Sequence, residues 1–105
     1  MANTYKKLAQ AQMGTSVATR YTVPGGTTTI VKHIRLVNPT GTARTAALWH
    51  DGVGDAQAIL PPATIPAGGW AEFDGTIIME AGDTLSDQAD AASAITITIY
   101  GDEIT

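Results

Sequence analysis

The stretch that decides the fold lies near the C-terminus, where residues 94–100 have the sequence AITITIY. Ile95, Ile97 and Ile99 alternate with two threonines and a tyrosine, so one side of the segment is apolar and the other polar. Alternation with a period of two is typical of a β-strand with one buried face. A helix is disfavoured because consecutive β-branched residues lose side-chain freedom against the preceding turn. The segment therefore predicts a strand whose isoleucines lie in a core.

Residues 27–37, TTTIVKHIRLV, predict a second strand with the same periodicity. Ile30, Ile34 and Leu36 are expected to share its buried face. Lys32 falls on that apolar face as well. Either a β-bulge near Lys32 turns it outward, or its aliphatic stem lies along the apolar surface and its ammonium reaches water.

Turn signals rich in glycine, proline and aspartate separate the other predicted strands. These strands are residues 16–23, 42–50, 58–60, 70–73, 76–79 and 84–88. Pro61-Pro62 is expected to end one of them, and Asp74-Gly75 is expected to form a turn between two others. In the first of these strands, one face is expected to carry Val17, Thr19, Tyr21 and Val23.

About eight short strands, with turn signals every 8–12 residues or so, predict an all-β antiparallel β-sandwich of jelly-roll-like type. The 105 residues correspond to one domain. Residues 15–105 are expected to form this domain, and residues 1–14 an N-terminal arm or a first strand, although their helix propensity leaves a short helix open. The residues expected in the core are Ile30, Ile34, Leu36, Leu48, Ile77, Leu85, Ile95, Ile97 and Ile99.

One short pattern occurs twice along the chain. Residues 22–26, TVPGG, are similar to residues 64–68, TIPAG, and each precedes a predicted strand. Proline cannot donate a backbone hydrogen bond, so both sites suit strand ends or sheet edges. The repetition predicts two similar turns in one domain.

The charges are segregated along the chain. All six Lys and Arg residues lie in the first 50 positions, and all ten Asp and Glu residues follow them. One interpretation is cross-strand ion pairing within a single sandwich, where exposed pairs contribute little. The other is a polarised surface that matches neighbouring copies. The interface residues expected on this second interpretation are Lys6, Lys7, Arg20, Arg35, Arg44, Glu72, Asp87, Asp102 and Glu103.

Composition argues against several classes of protein. The absence of cysteine excludes disulfides, thiol nucleophiles and cysteine-ligated metals. A net charge of −4 argues against a nucleic-acid partner. No apolar run approaches the length of a membrane-spanning helix, and the N-terminus lacks the apolar core of a secretory signal. Neither nucleic acid nor membrane is therefore expected as a partner.

Residues suited to catalysis are sparse, and none is predicted to be catalytic, metal-binding or cofactor-binding. His50 and Asp51 are neighbours that a hydrolase could use, but adjacent His and Asp are common by chance. The loop at residues 50–55, HDGVGD, lacks the alternating ligands and terminal glutamate of a calcium loop and is more typical of a turn. No cofactor is expected.

A sugar-binding site is a further possibility that the sequence leaves open. Glu72, Asp74 and Glu80 could supply the paired carboxylates of glycoside chemistry, and Trp70 near them could stack on a sugar ring. A single tryptophan at a strand start is more often part of a core or an edge. Trp70 is thus the candidate ligand contact.

Three stretches, at residues 21–41, 65–89 and 94–104, resemble the small β-sandwich proteins encoded among the structural genes of tailed bacteriophages. They read YTVPGGTTTIVKHIRLVNPTG, IPAGGWAEFDGTIIMEAGDTLSDQA and AITITIYGDEI. The matching positions are Thr22, Pro24, Gly26, Ile30, Lys32, Ile34, Asn38, Pro66, Gly68, Glu72, Gly75, Gly82, Asp83, Leu85, Gly101 and Glu103. These are turn and strand signatures.

The resemblance implies a non-enzymatic structural protein located in the virion. Such a protein would act as a tail or head–tail accessory and assemble as a homo-oligomeric ring or trimer. Its partners would be copies of itself and other virion proteins. Two alternatives remain at this point: a capsid decoration protein, and a sugar-binding module for host attachment that uses Trp70.

Overall fold

The computed structural model describes residues 3–52, 54 and 57–105. The described residues form eight strands, and the prediction of an all-β antiparallel sandwich is confirmed. The strands are β1 (Asn3–Gln12), β2 (Ala18–Thr22), β3 (Thr28–Val37), β4 (Arg44–His50), β5 (Ala58–Ile65), β6 (Trp70–Met79), β7 (Thr84–Ala89) and β8 (Thr96–Ile104).

The strands form two four-stranded sheets. The first sheet has the order β1-β8-β3-β6, and the second has the order β2-β7-β4-β5. Every neighbouring pair is antiparallel. Strands β1 to β4 pair in turn with β8, β7, β6 and β5, as in one long hairpin rolled up into two layers. This topology is that of a jelly roll.

The rolled hairpin explains why the charges are segregated along the sequence. Each strand from the basic half of the chain pairs with a strand from the acidic half, so opposite charges meet across strands. The ion pairs between paired strands are Lys6–Glu103 at 2.7 Å, Arg20–Asp87 at 2.7 Å and Arg35–Glu72 at 3.6 Å. The interpretation of cross-strand pairing within one sandwich is therefore confirmed for these residues.

The alternation of β8 has the predicted result: Ile95, Ile97 and Ile99 are fully buried between the sheets. Of the nine residues expected in the core, eight are buried. The exception is Ile30, which is only partly buried.

A β-bulge at Lys32 accounts for the position of Ile30. The register of β3 shifts between Val31 and His33 against both of its neighbouring strands. Before the bulge, Thr29 and Val31 face the core; after it, Ile34 and Leu36 do. The bulge offered as one explanation for Lys32 is therefore confirmed, and the expectation that Ile30 shares the buried face of Ile34 and Leu36 is wrong because the extra residue of a bulge exchanges the two faces.

Gly101 of β8 lies where two bulges meet. The bulge of β1 at Leu8 and that of β3 at Lys32 flank the segment of β8 around Tyr100 and Gly101. Gly101 is buried there, with the backbone of Ile30 close on one side. The backbone of β3 and the side chain of Leu8 in β1 thus occupy the space that a side chain at this position would need.

Two predicted strand ends lie inside continuous strands. β6 passes through Asp74-Gly75 without a turn, and its register against β3 shifts at this point. β5 continues through Pro61-Pro62. Proline is tolerated there because β5 is an edge strand and its register against β4 shifts at these two residues, so the missing N–H groups fall where the ladder is already irregular.

A third difference concerns β2. Its register shifts at Arg20, so Tyr21 and Val23 are buried while Val17 and Thr19 are exposed. The expectation that all four share one face is therefore wrong for the first two. As in β3, a bulge ends the simple alternation.

The repeated Pro-X-Gly pattern forms the same turn twice. Thr27 N–H donates to Pro24 O, and Gly69 N–H donates to Pro66 O, each closing a four-residue turn. The third residue has a φ of 72° at Gly26 and 68° at Gly68. A positive φ at this position is what a type II turn requires, so glycine is the favoured residue there.

Asn38 holds one end of the sandwich together. Its side chain is fully buried, and its Nδ2 donates to the carbonyl oxygens of Thr42, Ile65 and Pro66 at 2.9–3.2 Å. Its Oδ1 accepts the Thr40 hydroxyl at 2.6 Å. The loop after β3 is thus fixed to the turn that precedes Trp70.

Candidate interaction face

The side of the first sheet that points away from the core carries most of the exposed apolar surface. Of the five large hydrophobic residues exposed in the described chain, four lie on this side: Tyr5 (72% exposed), Trp70 (59%), Ile78 (63%) and Tyr100 (42%). They come from β1, β6 and β8, and in β6 and β8 they alternate with residues directed toward the core. We call this side the outer face.

A row of charged side chains crosses the outer face between β3 and β6. The Arg35 guanidinium lies 5.5 Å from the centre of the Trp70 ring, and its Nη1 is 3.6 Å from Glu72 Oε1. His33 Nε2 is 3.5 Å from Glu72 Oε2, and its Nδ1 is 3.9 Å from Asp74 Oδ1. His33 and Arg35 of β3 thus lie beside carboxylates of β6.

One carboxylate on this side of the sheet lacks a partner. Asp102 follows Tyr100 by two residues in β8 and pairs with Tyr5 of β1 and Ile30 of β3. It is only 6% exposed, and its Oδ1 forms no hydrogen bond within the described chain. A buried polar atom without a partner is unusual in a folded protein.

Lys7 lies on the same side, in β1. It pairs with Tyr100, and its Nζ donates to Gln10 Oε1 at 3.1 Å. No described carboxylate lies within ion-pair distance of it. Lys32, at the bulge of β3, likewise forms no ion pair within the described chain.

Other predicted interface residues find their partners inside the chain. Asp87 has no exposed surface and accepts two hydrogen bonds from Arg20. The prediction that Asp87 contacts another copy is therefore wrong, because a fully buried carboxylate cannot reach one. Arg44 begins β4, and its Nε is buried without a partner in the described chain.

Glu103 belongs to a polar cluster at one end of the first sheet. Its carboxylate receives the Lys6 ammonium at 2.7 Å and the Tyr21 hydroxyl at 2.5 Å. The Tyr21 hydroxyl also lies 2.8 Å from Thr29 Oγ1. The hydrogen bonds from Lys6 and Tyr21 lower the pKa of Glu103, while burial and the bond to Glu103 raise the pKa of Tyr21 to about 12.

This cluster predicts a pH-dependent contribution to stability. Because the pKa of Glu103 is lowered in the folded state, its stabilising effect is present above its ordinary pKa and is lost as the pH falls through the folded value. We expect Glu103→Gln to lower the melting temperature at pH 7 and to have little effect near pH 2. Thermal unfolding of both proteins across this range measures the difference. Exposed Glu80→Gln is the control, and equal effects of Glu103→Gln at both ends of the range would contradict the prediction.

The histidine considered for hydrolysis faces a different partner. His50 Nε2 lies 3.3 Å from Asp83 Oδ2, which also accepts the backbone N–H of Glu80. Of the suggested cation loop, positions 53 and 55 lie outside the described residues. In the described part of the chain, no group of three or more His, Asp or Glu side chains is placed to hold a metal.

A small cavity of about 50 Å³ lies between the sheets with a mainly apolar lining.

None of the described residues forms a helix long and apolar enough to cross a membrane. No protein-family model matches the chain. No curated protein matches it by sequence either.

Solved structures share the architecture. The pilus protein of Bacillus endospore appendages, which form disulfide-linked pili, superposes with a TM-score of 0.59 and 16% identity, covering 98% of this chain and 88% of that one. The core of Drosophila NLP, a protein known for pentamer formation and histone binding, superposes with a TM-score of 0.54 and 16% identity, covering 95% and 100%. At these identities the likeness shows the fold alone.

Proposed function

We propose that this chain is a non-enzymatic structural component of a tailed-bacteriophage virion, in a tail or head–tail accessory position, that assembles with copies of itself and with other virion proteins. The observation that carries the proposal is the outer face, with four large exposed hydrophobic side chains on one sheet. An exposed sheet face that gathers large hydrophobic side chains is a candidate interaction surface.

Three further points support the proposal. The turn and strand signatures resemble those of phage structural proteins. Two solved structures with the same fold are of a pilus protein and of a protein whose structure gives insight into pentamer formation, and both are assemblies built from repeated subunits. The third point is that Lys6, Arg20 and Arg35 already have carboxylate partners within the chain, whereas the large apolar side chains of the outer face are exposed.

Solution mass tests the self-assembly. We expect the wild-type protein to form a defined oligomer, measured by light scattering after gel filtration. Ile78→Ser and Tyr100→Ser should each shift the protein toward the monomer, since they remove apolar area from the outer face. Val17→Ser is the matched control, because Val17 is exposed but lies outside this face. A wild-type protein that stays monomeric at millimolar concentration and is absent from particles would refute the proposal.

The position in the particle is tested by electron microscopy. Density for this fold in the tail or neck supports the accessory role. Density on the outer surface of the capsid would instead assign a decoration protein, which is the alternative within the same class.

A second candidate function is sugar binding for host attachment. It is favoured by one observation: Trp70 is largely exposed, and Arg35 and Glu72 beside it can donate and accept hydrogen bonds. A glycan array compared between the wild type and Trp70→Ala tests it. Signal that disappears in Trp70→Ala supports this function, and the absence of any sugar-dependent signal removes it.

A further inference from the structure

We infer that Asp51-Gly52 is a site of spontaneous backbone modification, where the folded protein converts aspartate to isoaspartate, and that the fold protects Asp74-Gly75 from the same reaction. An aspartate followed by glycine is especially prone to this reaction, because glycine has no side chain to hinder the approach of its backbone nitrogen. The chain contains two Asp-Gly dipeptides and no Asn-Gly dipeptide. The fold places the two in different backbone environments.

The reaction needs no enzyme, cofactor or oxidant. The glycine nitrogen attacks Cγ of the protonated aspartyl carboxyl, and the new C–N bond closes a five-membered succinimide ring while the N–H proton and the hydroxyl leave as water. One water molecule then opens the ring at either carbonyl. Opening at Cγ restores aspartate, whereas opening at the main-chain carbonyl gives isoaspartate, in which the backbone runs through Cβ and Cγ. The mass of the chain is therefore unchanged.

Asp51 lies just beyond the end of β4, and it is exposed. Its N–H donates to Thr84 O at 2.7 Å, which holds the residue on its N-terminal side. Among the described residues, neither the Asp51 carbonyl nor the Gly52 N–H takes part in a backbone hydrogen bond. Ring closure requires rotation about the bond between Cα and the carbonyl carbon of the aspartate. Here that rotation breaks no backbone hydrogen bond of the described chain.

The local conformation also fixes which residue follows Asp51. Asp51 has a φ of 56° and Gly52 a φ of 142°. A positive φ is uncommon for residues with a side chain, whereas glycine adopts it readily. A Cβ atom at Gly52 would also lie 3.0 Å from Gln57 Cγ. The loop thus favours glycine at the position where glycine makes the neighbouring aspartate most reactive.

Asp74-Gly75 has the same chemistry but lies inside β6. Asp74 pairs with His33, and the pairing with β3 continues at Ile77, opposite Val31. The dipeptide is therefore held by the ladder on both sides. Rotation of the Asp74–Gly75 peptide would turn one half of β6 away from β3, so ring closure first requires this part of the strand to open.

The cost of this opening sets the difference in rate between the two sites. Local opening is nearly free in loops and costs up to the full stability of the protein in paired strands. An opening that costs about 1.4 kcal/mol slows the reaction about tenfold. We therefore expect isoaspartate to form at Asp51 at least about tenfold faster than at Asp74 in the folded protein.

Incubation of the folded wild-type protein at neutral pH, followed by unfolding and digestion, measures both rates. An endoproteinase that cleaves before aspartate does not cleave before isoaspartate, so the fragments that begin at Asp51 and at Asp74 report on the two sites separately. Trypsin does not separate them, because no Lys or Arg follows Arg44. Incubation in guanidinium chloride is the control, since both dipeptides are then free and should react at similar rates.

A matched variant assigns the signal to its residue. Asp51→Glu keeps the negative charge, but its longer side chain cannot form the five-membered ring. Total isoaspartate is measured by methyl transfer from S-adenosylmethionine with an isoaspartyl methyltransferase. We expect the folded Asp51→Glu protein to lose most of the wild-type signal.

Selective conversion of Asp51 in the folded protein, with similar rates at both sites in guanidinium chloride, supports the inference. Similar rates at the two sites in the folded protein, or no isoaspartate at Asp51, would overturn it. Asp51 lies at an end of the second sheet, whereas the outer face belongs to the first sheet. The result therefore does not depend on the proposed function, and either proposal can fail without the other.

Discussion

Replacing Arg20 with methionine is expected to lower the free energy of unfolding by about 3–5 kcal/mol, because it leaves a buried carboxylate uncompensated. Asp87 has no exposed surface, and Arg20 donates to its two oxygens from Nε at 2.7 Å and from Nη2 at 2.9 Å. The hydrogen bond with Asp87 raises the pKa of Arg20, so this guanidinium is charged throughout the accessible pH range. Such a bidentate pair is among the stronger polar contacts in proteins.

Chemical denaturation measures this effect, and the double variant Arg20→Met/Asp87→Leu is its sharpest control. Removal of both charges leaves no unpaired ion, so we expect the double variant to recover most of the lost stability. Glu80→Gln removes an exposed charge outside the outer face and should change stability by less than about 0.5 kcal/mol. If the double variant is as unstable as Arg20→Met, the loss comes from packing, and the explanation by an unpaired charge fails.

The second large effect is expected at Gly101, where alanine should lower the free energy of unfolding by about 2–3 kcal/mol. A Cβ atom added to Gly101 would lie 2.5 Å from the carbonyl oxygen of Ile30 and 2.8 Å from Leu8 Cδ1. The first contact is with backbone held in the β3 ladder, which cannot move without breaking hydrogen bonds. The clash therefore has to be relieved by distortion of the sheet.

Gly14→Ala is the matched control for this prediction. A Cβ atom at Gly14 meets nothing within 4 Å, and we expect a change within about 0.5 kcal/mol of zero. Urea unfolding of the two variants compares them directly. Equal stability of Gly101→Ala and Gly14→Ala would show that the bulged strands adjust freely around β8.

The sequence predicts the strands well because each depends on a local pattern. The alternation at Ile95, Ile97 and Ile99 needs only a period of two and β-branched side chains, and the structure buries all three. The repeated Pro-X-Gly turns are equally local. The charge segregation agrees with the rolled hairpin, in which opposite halves of the chain meet across strands. It does not predict that topology, because both interpretations of the charges fit the sequence alone.

The sequence singles out only some of the residues of the outer face. Trp70, Arg35 and Glu72 are singled out in the sequence, and β3 and β6 bring them together on the outer face. Tyr5 and Ile78 carry no signal of their own, because an exposed apolar residue in a strand has the same pattern as a buried one. Their common position on the outer face follows only from the sheet order, in which β1 and β6 are the two edge strands.

The sequence by itself determined the period of the strands, the two Pro-X-Gly turns and the absence of cysteine chemistry, because these depend on neighbouring residues. Tertiary structure decided which face each residue occupies beyond a bulge, which carboxylates are buried and which apolar side chains share a surface. Ile30 and Asp87 show the reason. A single inserted residue at Lys32 exchanges the faces of β3, and the pairing of β2 with β7 places Arg20 beside Asp87 across 67 positions of sequence. Such outcomes depend on contacts between distant segments, which no local pattern contains.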